Sequence, residues 1–401
     1  MVHGAKNSAL PLLAATILCE GECILHNCPR LSDVDASVNI LRYLGCRAQR
    51  EGDALVVDSR GISRSDIPDG LMREMRSSIV FLGAVASRMG KARLSFPGGC
   101  ELGPRPIDLH LKALRQLGLI IGEDHGYLDC AVLNHLKGAF IALSFPSVGA
   151  TENIILASVR AQGTTVITNA AREPEICDLA DFLNACGARI YGAGEGTITI
   201  EGVKRLSGTE HTVIPDRIAA TTFMTAAAIT GGDLLLLDVL PAHLGPVIPM
   251  FEEAGCEMAI SRGQLRILAP RRLRPVKMIR TMPYPGFPTD AQAPMMAMTT
   301  LARGTSVFVE NIFESRYKHV GELMRLGANI KVEGRVAVVE GVERLSGAPV
   351  EASDLRGAAA LVVAGLAAEG VTEIDGLRHL DRGYECIEES LTGVGASVKR
   401  I

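Results

Sequence analysis

The sequence predicts an α/β protein of two lobes, each built from three repeats with helices buried inside and sheets facing outward. Three observations carry this expectation. A Leu/Phe-x-x-x-Gly unit followed by an apolar or small residue recurs at Gly45, Gly118, Gly187, Gly255, Gly327 and Gly395, with spacings of 73, 69, 68, 72 and 68 residues. A fixed period of this kind marks a repeat architecture. Upstream of it a glycine opens a short β-branched run, as in Gly163-Thr164-Thr165-Val166-Ile167 and Gly304-Thr305-Ser306-Val307-Phe308-Val309. Finally, Ile154–Ala161, Ala219–Thr230, Ala293–Ala302 and Gly357–Ala368 are apolar or small on nearly every face, and a helix apolar all round is buried all round.

Each repeat therefore reads strand, inner helix, strand, outer helix, strand, which inverts the usual α/β layering. The first repeat looks incomplete, because only Met1–His3 precede Gly4 where a leading strand is expected, and a weakened sheet is predicted there. Phe96–His110 carries three glycines and three prolines and reads as a turn-rich loop. It holds a thiol (Cys100), a guanidinium (Arg105) and a carboxylate (Asp108), and a loop thiol near a fixed positive charge has the setting of a reactive cysteine. Ala139–Phe145 and Val276–Thr281 read as leading strands, and the outer helices Asp178–Ala185 and Val320–Leu326 mix polar and apolar positions that can face solvent. Leu323–Ile330 is typical of a helix ended by a left-handed glycine and followed by a strand. Gly192-Ala193-Gly194-Glu195-Gly196 resembles part of a dinucleotide fingerprint, but the strand Thr197–Ile200 follows where a helix is required. A literal echo, G-V-K-R-L-S-G at Gly202–Gly208 and G-V-E-R-L-S-G at Gly341–Gly347, lies 139 residues apart, and a hinge between lobes is expected near Ser207–Pro215.

Composition excludes several function classes. The 401 residues are 47% apolar and 21% charged with a net charge of -4, so electrostatics give no case for nucleic acid. No apolar run approaches the roughly 18–20 residues of a membrane span, and Met1–Gly4 begins no signal peptide. Ten cysteines without a Cys-x-x-Cys pair or Cys/His ligand spacing suggest reduced thiols in a cytoplasm, with no metal. Nine of them, Cys19, Cys23, Cys46, Cys186 and Cys256 included, lie in apolar or helix-end contexts and read as packing residues. His110, His243 and His319 lack metal spacing and read as helix-start or surface residues.

Charge concentrates at the strand-to-helix joints, the ligand-facing positions of α/β units. Lys6-Asn7, Arg76, Asp216-Arg217, Asp290 and Asp354–Arg356 stand at or near the starts of the inner helices, and Cys100, Arg105, Glu173, Arg316 and Arg382 in the turns before the outer ones. If these ends face a common cleft, its cations outnumber its carboxylates, which predicts an anionic ligand.

At these residues the sequence resembles a known family. The segments G-A-K-N-S-A-L-P (Gly4–Pro11), P-G-G-C-E-L-G-P-R-P-I-D-L-H (Pro97–His110), F-P-S-V-G-A-T-E-N (Phe145–Asn153), A-R-E-P-E-I (Ala171–Ile176), F-P-T-D-A-Q-A (Phe287–Ala293), E-S-R-Y-K-H-V (Glu314–Val320) and H-L-D-R-G-Y-E (His379–Glu385) are similar to the signature segments of the UDP-N-acetylglucosamine enolpyruvyl transferases, in family order and over nearly the whole chain. The resemblance implies two inside-out α/β barrels of three repeats, residues 6–212 and residues 1–5 with 213–401, the first strand of the latter being cut short. It implies transfer of the enolpyruvyl group of phosphoenolpyruvate to the 3-hydroxyl of UDP-N-acetylglucosamine, without a cofactor, as the first committed step of peptidoglycan synthesis. Cys100 would be the proton donor to the enol carbon, able to form an adduct with phosphoenolpyruvate or its epoxide analogue fosfomycin. Lys6, Arg105 and Arg382 would hold the phosphate and carboxylate of phosphoenolpyruvate, and Asp290 would take the 3-hydroxyl proton. Asn7, Arg76, Arg105, Pro106, Ile107, Asp108, Leu109, Asp290 and Ile312 would contact UDP-N-acetylglucosamine, with Glu173, Asp216, Arg316, Asp354 and Arg356 in support. Phe145 stands where some members carry a lysine, so a nucleotide contact by that side chain does not carry over. Two alternatives compete: a 5-enolpyruvylshikimate-3-phosphate synthase, which lacks the Cys100 loop, and a non-catalytic nucleotide-sugar sensor, which would need neither the acid nor the base.

Overall fold

A computed structural model describes residues 1–96 and 107–401, and of Arg76 the backbone alone. Two compact units divide them: residues 4–96 with 107–214, and Met1–His3 with Pro215–Ile401. Each has its own apolar core. The chain returns to the second unit at Ile214–Pro215, two residues beyond the boundary at 212 expected from sequence.

Six inner helices carry the cores: Lys6–Thr16, Phe81–Met89 and Val148–Ser158 in the first unit, Arg217–Thr230, Thr289–Thr299 and Leu355–Ala367 in the second. The last three all pack against one another. Their all-round alanine, leucine and methionine content lets every face find an apolar neighbour. Asp216 caps the fourth, accepting from the Ile218 and Ala219 amides at 2.7 and 2.9 Å, and Asp354 caps the sixth through the Arg356 and Gly357 amides at 3.0 and 3.1 Å. Such caps contribute about 1 kcal/mol each. Two inner helices start earlier than the apolar pattern indicates, at Val148 and Thr289, because their first turns are polar yet mostly buried, with Thr151, Glu152 and Asn153 in one and Gln292 in the other.

Each outer helix is followed within two residues by one of the six periodic glycines, and all six adopt left-handed backbone with φ between 95° and 101°. A side chain is strained there, so the repeat is written in the residue type that ends the helix at no steric cost. The outer helix Pro174–Ala185 departs from the expected solvent-facing character. It packs against the inner helices Lys6–Thr16 and Val148–Ser158, and its Glu175 and Asp178 are buried.

Four of the sheets share one plan: a short leading strand parallel to a longer one, which pairs in turn with an antiparallel hairpin. In the third repeat Phe140–Ala142 leads Thr164–Thr168, and Thr197–Glu201 and Arg189–Tyr191 complete the sheet. Here Ile167, Ile198 and Ile200 all turn to the core, the period-two pattern of a half-buried sheet. The first repeat is complete, contrary to the expectation of a missing strand. Glu210–Thr212, from the end of the third repeat, runs parallel to Glu22–His26 with Ile24 opposite Glu210. The three-stranded sheet belongs to the fourth repeat, Asp233–Leu237, Gln264–Leu268 and Glu257–Ser261. Residues 1–3 lie at its edge: the Val2 amide donates to the Leu237 carbonyl at 3.0 Å, the Asp216 amide donates to the His3 carbonyl at 2.9 Å, and Val2 is buried in the second core.

The echoed heptapeptide also has a geometric cause. A Cβ on Gly202 would sit 1.6 Å from the Ala161 carbonyl oxygen, and one on Gly341 1.7 Å from that of Ala302. The closing glycines are as tight, 2.0 Å from the Glu22 oxygen at Gly208 and 2.3 Å from the Val371 oxygen at Gly347. Backbone passes backbone at all four. The hairpin Gly192–Gly196 joins two strands, as the failed fingerprint implied. Among the described residues no helix is long and apolar enough to cross a membrane.

Candidate active site

In the second unit the polar residues converge on the start of the fifth inner helix. Asp290, its second residue, is held on both carboxylate oxygens. Oδ1 accepts from Arg316 Nη2 at 2.9 Å and Oδ2 from Arg356 Nη2 at 3.2 Å. Arg316 Nη2 donates also to the Thr289 carbonyl at 3.0 Å. Both arginines are almost wholly buried, at 2% and 3% side-chain exposure, whereas Asp290 keeps 29%. Burial opposes the charge of Arg356, but the Asp290 carboxylate, with Tyr384 and Asp216 beyond it, holds the guanidinium above its ordinary value. Arg356 Nη1 continues to Tyr384 OH at 3.2 Å, and that hydroxyl meets Thr222 Oγ1 at 2.8 Å. The result is a partly exposed carboxylate pinned in place by two desolvated cations.

Around it, Glu310 fixes the turn that carries Ile312, accepting from the Ile312 and Phe313 amides at 2.8 and 3.1 Å and from Thr281 and Thr289 hydroxyls at 2.9 and 3.0 Å. Arg382 is the last residue of the short 3-10 turn Leu380–Arg382, half-buried and two residues before Tyr384. His319 is buried near Arg316 and Asp354. Desolvation is the main cause that pushes its imidazole down to about 4, so it stays neutral at physiological pH.

In the first unit Lys6 opens the first inner helix, buried, with its Nζ 2.7 Å from the buried Asp33 carboxylate; Asn7 follows, half-buried. Ser8, the next residue, donates to the buried Asp178, whose other oxygen meets His211 Nε2 at 2.8 Å. Ile107 and Asp108–Leu109 form the N-terminus of the helix Asp108–Gln116, with Asp108 exposed. Behind them Asn153 ties three elements together. It accepts from the Gly83 amide at 2.7 Å, donates to the Ile79 carbonyl at 2.8 Å, and meets His110 Nδ1 at 2.9 Å. Glu173 precedes the helix Pro174–Ala185. Glu152 is buried, and burial first, then Glu175 and Glu173, raises its carboxyl well above the usual carboxylate range.

Of the residues singled out in the sequence, Asp290, Arg316 and Arg356 are brought into direct contact, and Asp216 and Asp354 cap helices that pack beside them. Lys6, Asn7, Ile107, Asp108, Leu109 and Glu173 belong to the other unit. Arg76 opens the 3-10 turn Arg76–Val80 that runs into the second inner helix. Cys100, Arg105 and Pro106 lie outside the described residues. His110, in the first turn of Asp108–Gln116, and His319, at the N-cap of Val320–Arg325, are helix-start residues as expected, and both are buried. Cys386 is corrected: it is exposed, not a packing residue. Asp33, Asp178, Glu310 and Tyr384 were missed. Their side-chain partners are 21 to 170 residues distant, and only Tyr384 fell within a recognised motif.

Matches to known proteins give the family and the fold. The family model described as EPSP synthase (3-phosphoshikimate 1-carboxyvinyltransferase) matches residues 1–391. The chain belongs to the enolpyruvyl transferase family. Among its relatives, UDP-N-acetylglucosamine 1-carboxyvinyltransferase 2 of Caldanaerobacter subterraneus subsp. tengcongensis is 54% identical over 100% of this chain and 96% of its own length. UDP-N-acetylglucosamine 1-carboxyvinyltransferase of Synechocystis is 49% identical over 100% of this chain and 92% of that protein. Among solved structures, the enolpyruvyl transferase NikO from Streptomyces tendae superposes with a TM-score of 0.90 at 25% identity, covering 99% of this chain and 94% of the other. EPSP synthase from Acinetobacter baumannii shares the fold, with a TM-score of 0.75 at 20% identity, over 100% of this chain and 96% of that one. The two-lobed, inside-out enolpyruvyl transferase architecture expected from the repeats is therefore the fold of this chain.

Proposed function

We propose that this enzyme transfers the enolpyruvyl group of phosphoenolpyruvate to the 3-hydroxyl of UDP-N-acetylglucosamine and releases phosphate, the step that commits the sugar nucleotide to peptidoglycan. The single observation that carries the acceptor assignment is the shared name of relatives about half identical over the full chain. Enolpyruvyl transfer itself is common to the whole family. Both substrates are charged metabolites that do not cross bilayers unaided, so we place the enzyme in the cytoplasm.

The chemistry needs an acid, a base and an oxyanion clamp. In our reading Cys100 gives a proton to the methylene carbon of phosphoenolpyruvate, which leaves an oxocarbenium-like centre at the adjacent carbon. The sugar 3-hydroxyl oxygen bonds to that centre and its proton passes to Asp290. The methyl group then returns a proton, the carbon–oxygen bond to phosphate breaks, and the enol ether remains. Asp290 suits its part because Arg316 and Arg356 fix both oxygens while the side chain keeps 29% exposure. Lys6, Arg105 and Arg382 hold the phosphate and carboxylate, a task for cations that donate charge-assisted hydrogen bonds to both oxyanions. Asn7, Arg76, Pro106, Ile107, Asp108, Leu109 and Ile312 contact the sugar nucleotide, and Glu173, Asp216 and Asp354 act in support.

The test is phosphate release from phosphoenolpyruvate with UDP-N-acetylglucosamine, with shikimate 3-phosphate, and with neither. Release that depends on the sugar nucleotide is expected. Release with shikimate 3-phosphate alone would move the chain to the other acceptor class. No acceptor-dependent release from folded protein would make it a sensor.

A further inference from the structure

Three cysteines far apart in the chain meet in the core of the first unit. Cys19 lies just beyond the first inner helix, Cys23 in the strand Glu22–His26, and Cys186 at the end of the helix Pro174–Ala185. Their sulfurs all lie within 4.8 Å of one another, with Cys19 Sγ 3.5 Å from Cys186 Sγ. None is more than 2% exposed. A metal bound by three thiolates at about 2.3 Å spaces its sulfurs about 4.0 Å apart in a plane. The existing triangle reaches that geometry by side-chain movements of well under an ångström.

The donor set is selective. It is sulfur only, and among the described residues no fourth cysteine, histidine or carboxylate joins the group. Structural zinc sites are almost always four-coordinate, whereas soft thiolates in low coordination select copper(I). Burial makes a charged sulfur set costly, and a nearby guanidinium offsets part of that cost. Arg160 lies close enough to Cys19 for its charge to be felt there, and its Nη1 is buried without a hydrogen-bond partner. The site's cover is thin, since Cys19 bridges to Leu206 and Cys23 lies in a strand edged by the three-residue strand Glu210–Thr212. Local opening of that edge gives an entry path.

We propose that Cys19, Cys23 and Cys186 form a trigonal thiolate site for a soft monovalent cation of the copper(I) class. Binding breaks three S–H bonds, forms three S–metal bonds and releases three protons, with no change of oxidation state. It would clamp the first repeat to the third, where the unit closes on itself. This proposal is independent of the enzyme's reaction.

The experiment is anaerobic titration of the reduced protein with copper(I) against a chromophoric copper(I) chelator. A Cys100→Ser/Cys386→Ser background removes the loop thiol and the exposed one. We expect one equivalent retained, three sulfurs at a single distance in X-ray absorption, and a higher Tm on loading. Cys23→Ala in the same background should weaken retention by about 100-fold, at the upper end of what losing a site partner costs. Equal retention by folded Cys23→Ala would overturn the proposal. So would no retention by the intact trio, or a mass two hydrogens short showing a Cys19–Cys186 disulfide in its place. If Cys23→Ala does not fold, the coordination number of the intact trio decides: three sulfurs supports the site, any other number overturns it.

Discussion

At the scale of single residues the decisive group is Asp290, because its two arginine partners are buried and it is not. Asp290→Asn keeps the shape but leaves two desolvated guanidinium groups facing an uncharged amide. A wholly buried pair broken in this way costs about 3–5 kcal/mol, and with Asp290 at 29% exposure we expect about 1–3 kcal/mol. The kcat should fall by about 10²–10⁴-fold, the usual worth of a positioned acid or base, with little change in KM for phosphoenolpyruvate. A folded variant with kcat within threefold of wild type would remove Asp290 from the reaction. Glu152 makes a second residue-scale prediction. Burial and two neighbouring glutamates raise its carboxyl above the ordinary 4.5 in the folded state, so the fold binds a proton that the unfolded chain has lost. Below about pH 4.5 both states are protonated and nothing is lost; as pH rises above that, stability falls until Glu152 ionises in the fold. Glu152→Gln removes this dependence, so its Tm should exceed wild type at pH 8 and approach it at pH 4.5. Equal Tm differences at both pH values would show that Glu152 is not held protonated. The residue types at this site were legible in the sequence; their pairings were not. Lys6 stood out by its place in a motif, while Asp33, its partner at 2.7 Å, carries no local signal.

At the scale of elements the sequence was most informative where a local backbone demand dictates the residue. The six periodic glycines are left-handed, and that requirement acts on one residue at a time, so it survives as a visible period. Inner helices were legible by all-round apolarity, except at their first turns. Two of the buried polar residues there bond to tertiary partners, Thr151 to the Ala171 amide and Asn153 to Gly83, Ile79 and His110, and no window of sequence contains those partners. The echoed heptapeptide yields the prediction at this scale. Gly202 and Gly341 do not have positive φ, so alanine there meets no backbone strain of its own. It meets instead a main-chain oxygen at 1.6 or 1.7 Å, which cannot turn aside as a side chain could. Gly202→Ala and Gly341→Ala should each destabilise by about 3–5 kcal/mol in urea unfolding, in the range reserved for strongly disruptive single changes. A loss below about 1 kcal/mol in either would mean that the strand ends separate easily, and the echo would need another cause.

At the scale of the whole molecule the count of repeats was legible, but the order in which the chain closes them was not. Periodicity places equivalent positions without saying which leading strand serves which sheet. The first repeat borrows Glu210–Thr212 from the end of the third, so residues 4–214 complete three sheets among themselves. The fourth repeat has only Met1–His3 at the corresponding edge, a contact spanning more than two hundred positions of sequence between Val2 and Leu237. This makes the effect of a change at Val2 one-sided. Val2→Asp removes a buried valine worth about 1.5–3 kcal/mol and endangers two main-chain hydrogen bonds of about 1 kcal/mol each. The loss is capped at roughly the free energy that holds three residues in place, because the segment can detach and solvate the carboxylate. We expect a stability loss of about 2–4 kcal/mol, within those limits. By hydrogen exchange, the Asp216 amide and the strand Asp233–Leu237 should lose protection, the first because its acceptor is the His3 carbonyl and the second because its outer edge is uncovered. Glu22–His26 should keep its protection, since its outer neighbour comes from residues 210–212. Equal loss in both sheets would show that the fourth repeat does not depend locally on residues 1–3, and that the two cores respond as one.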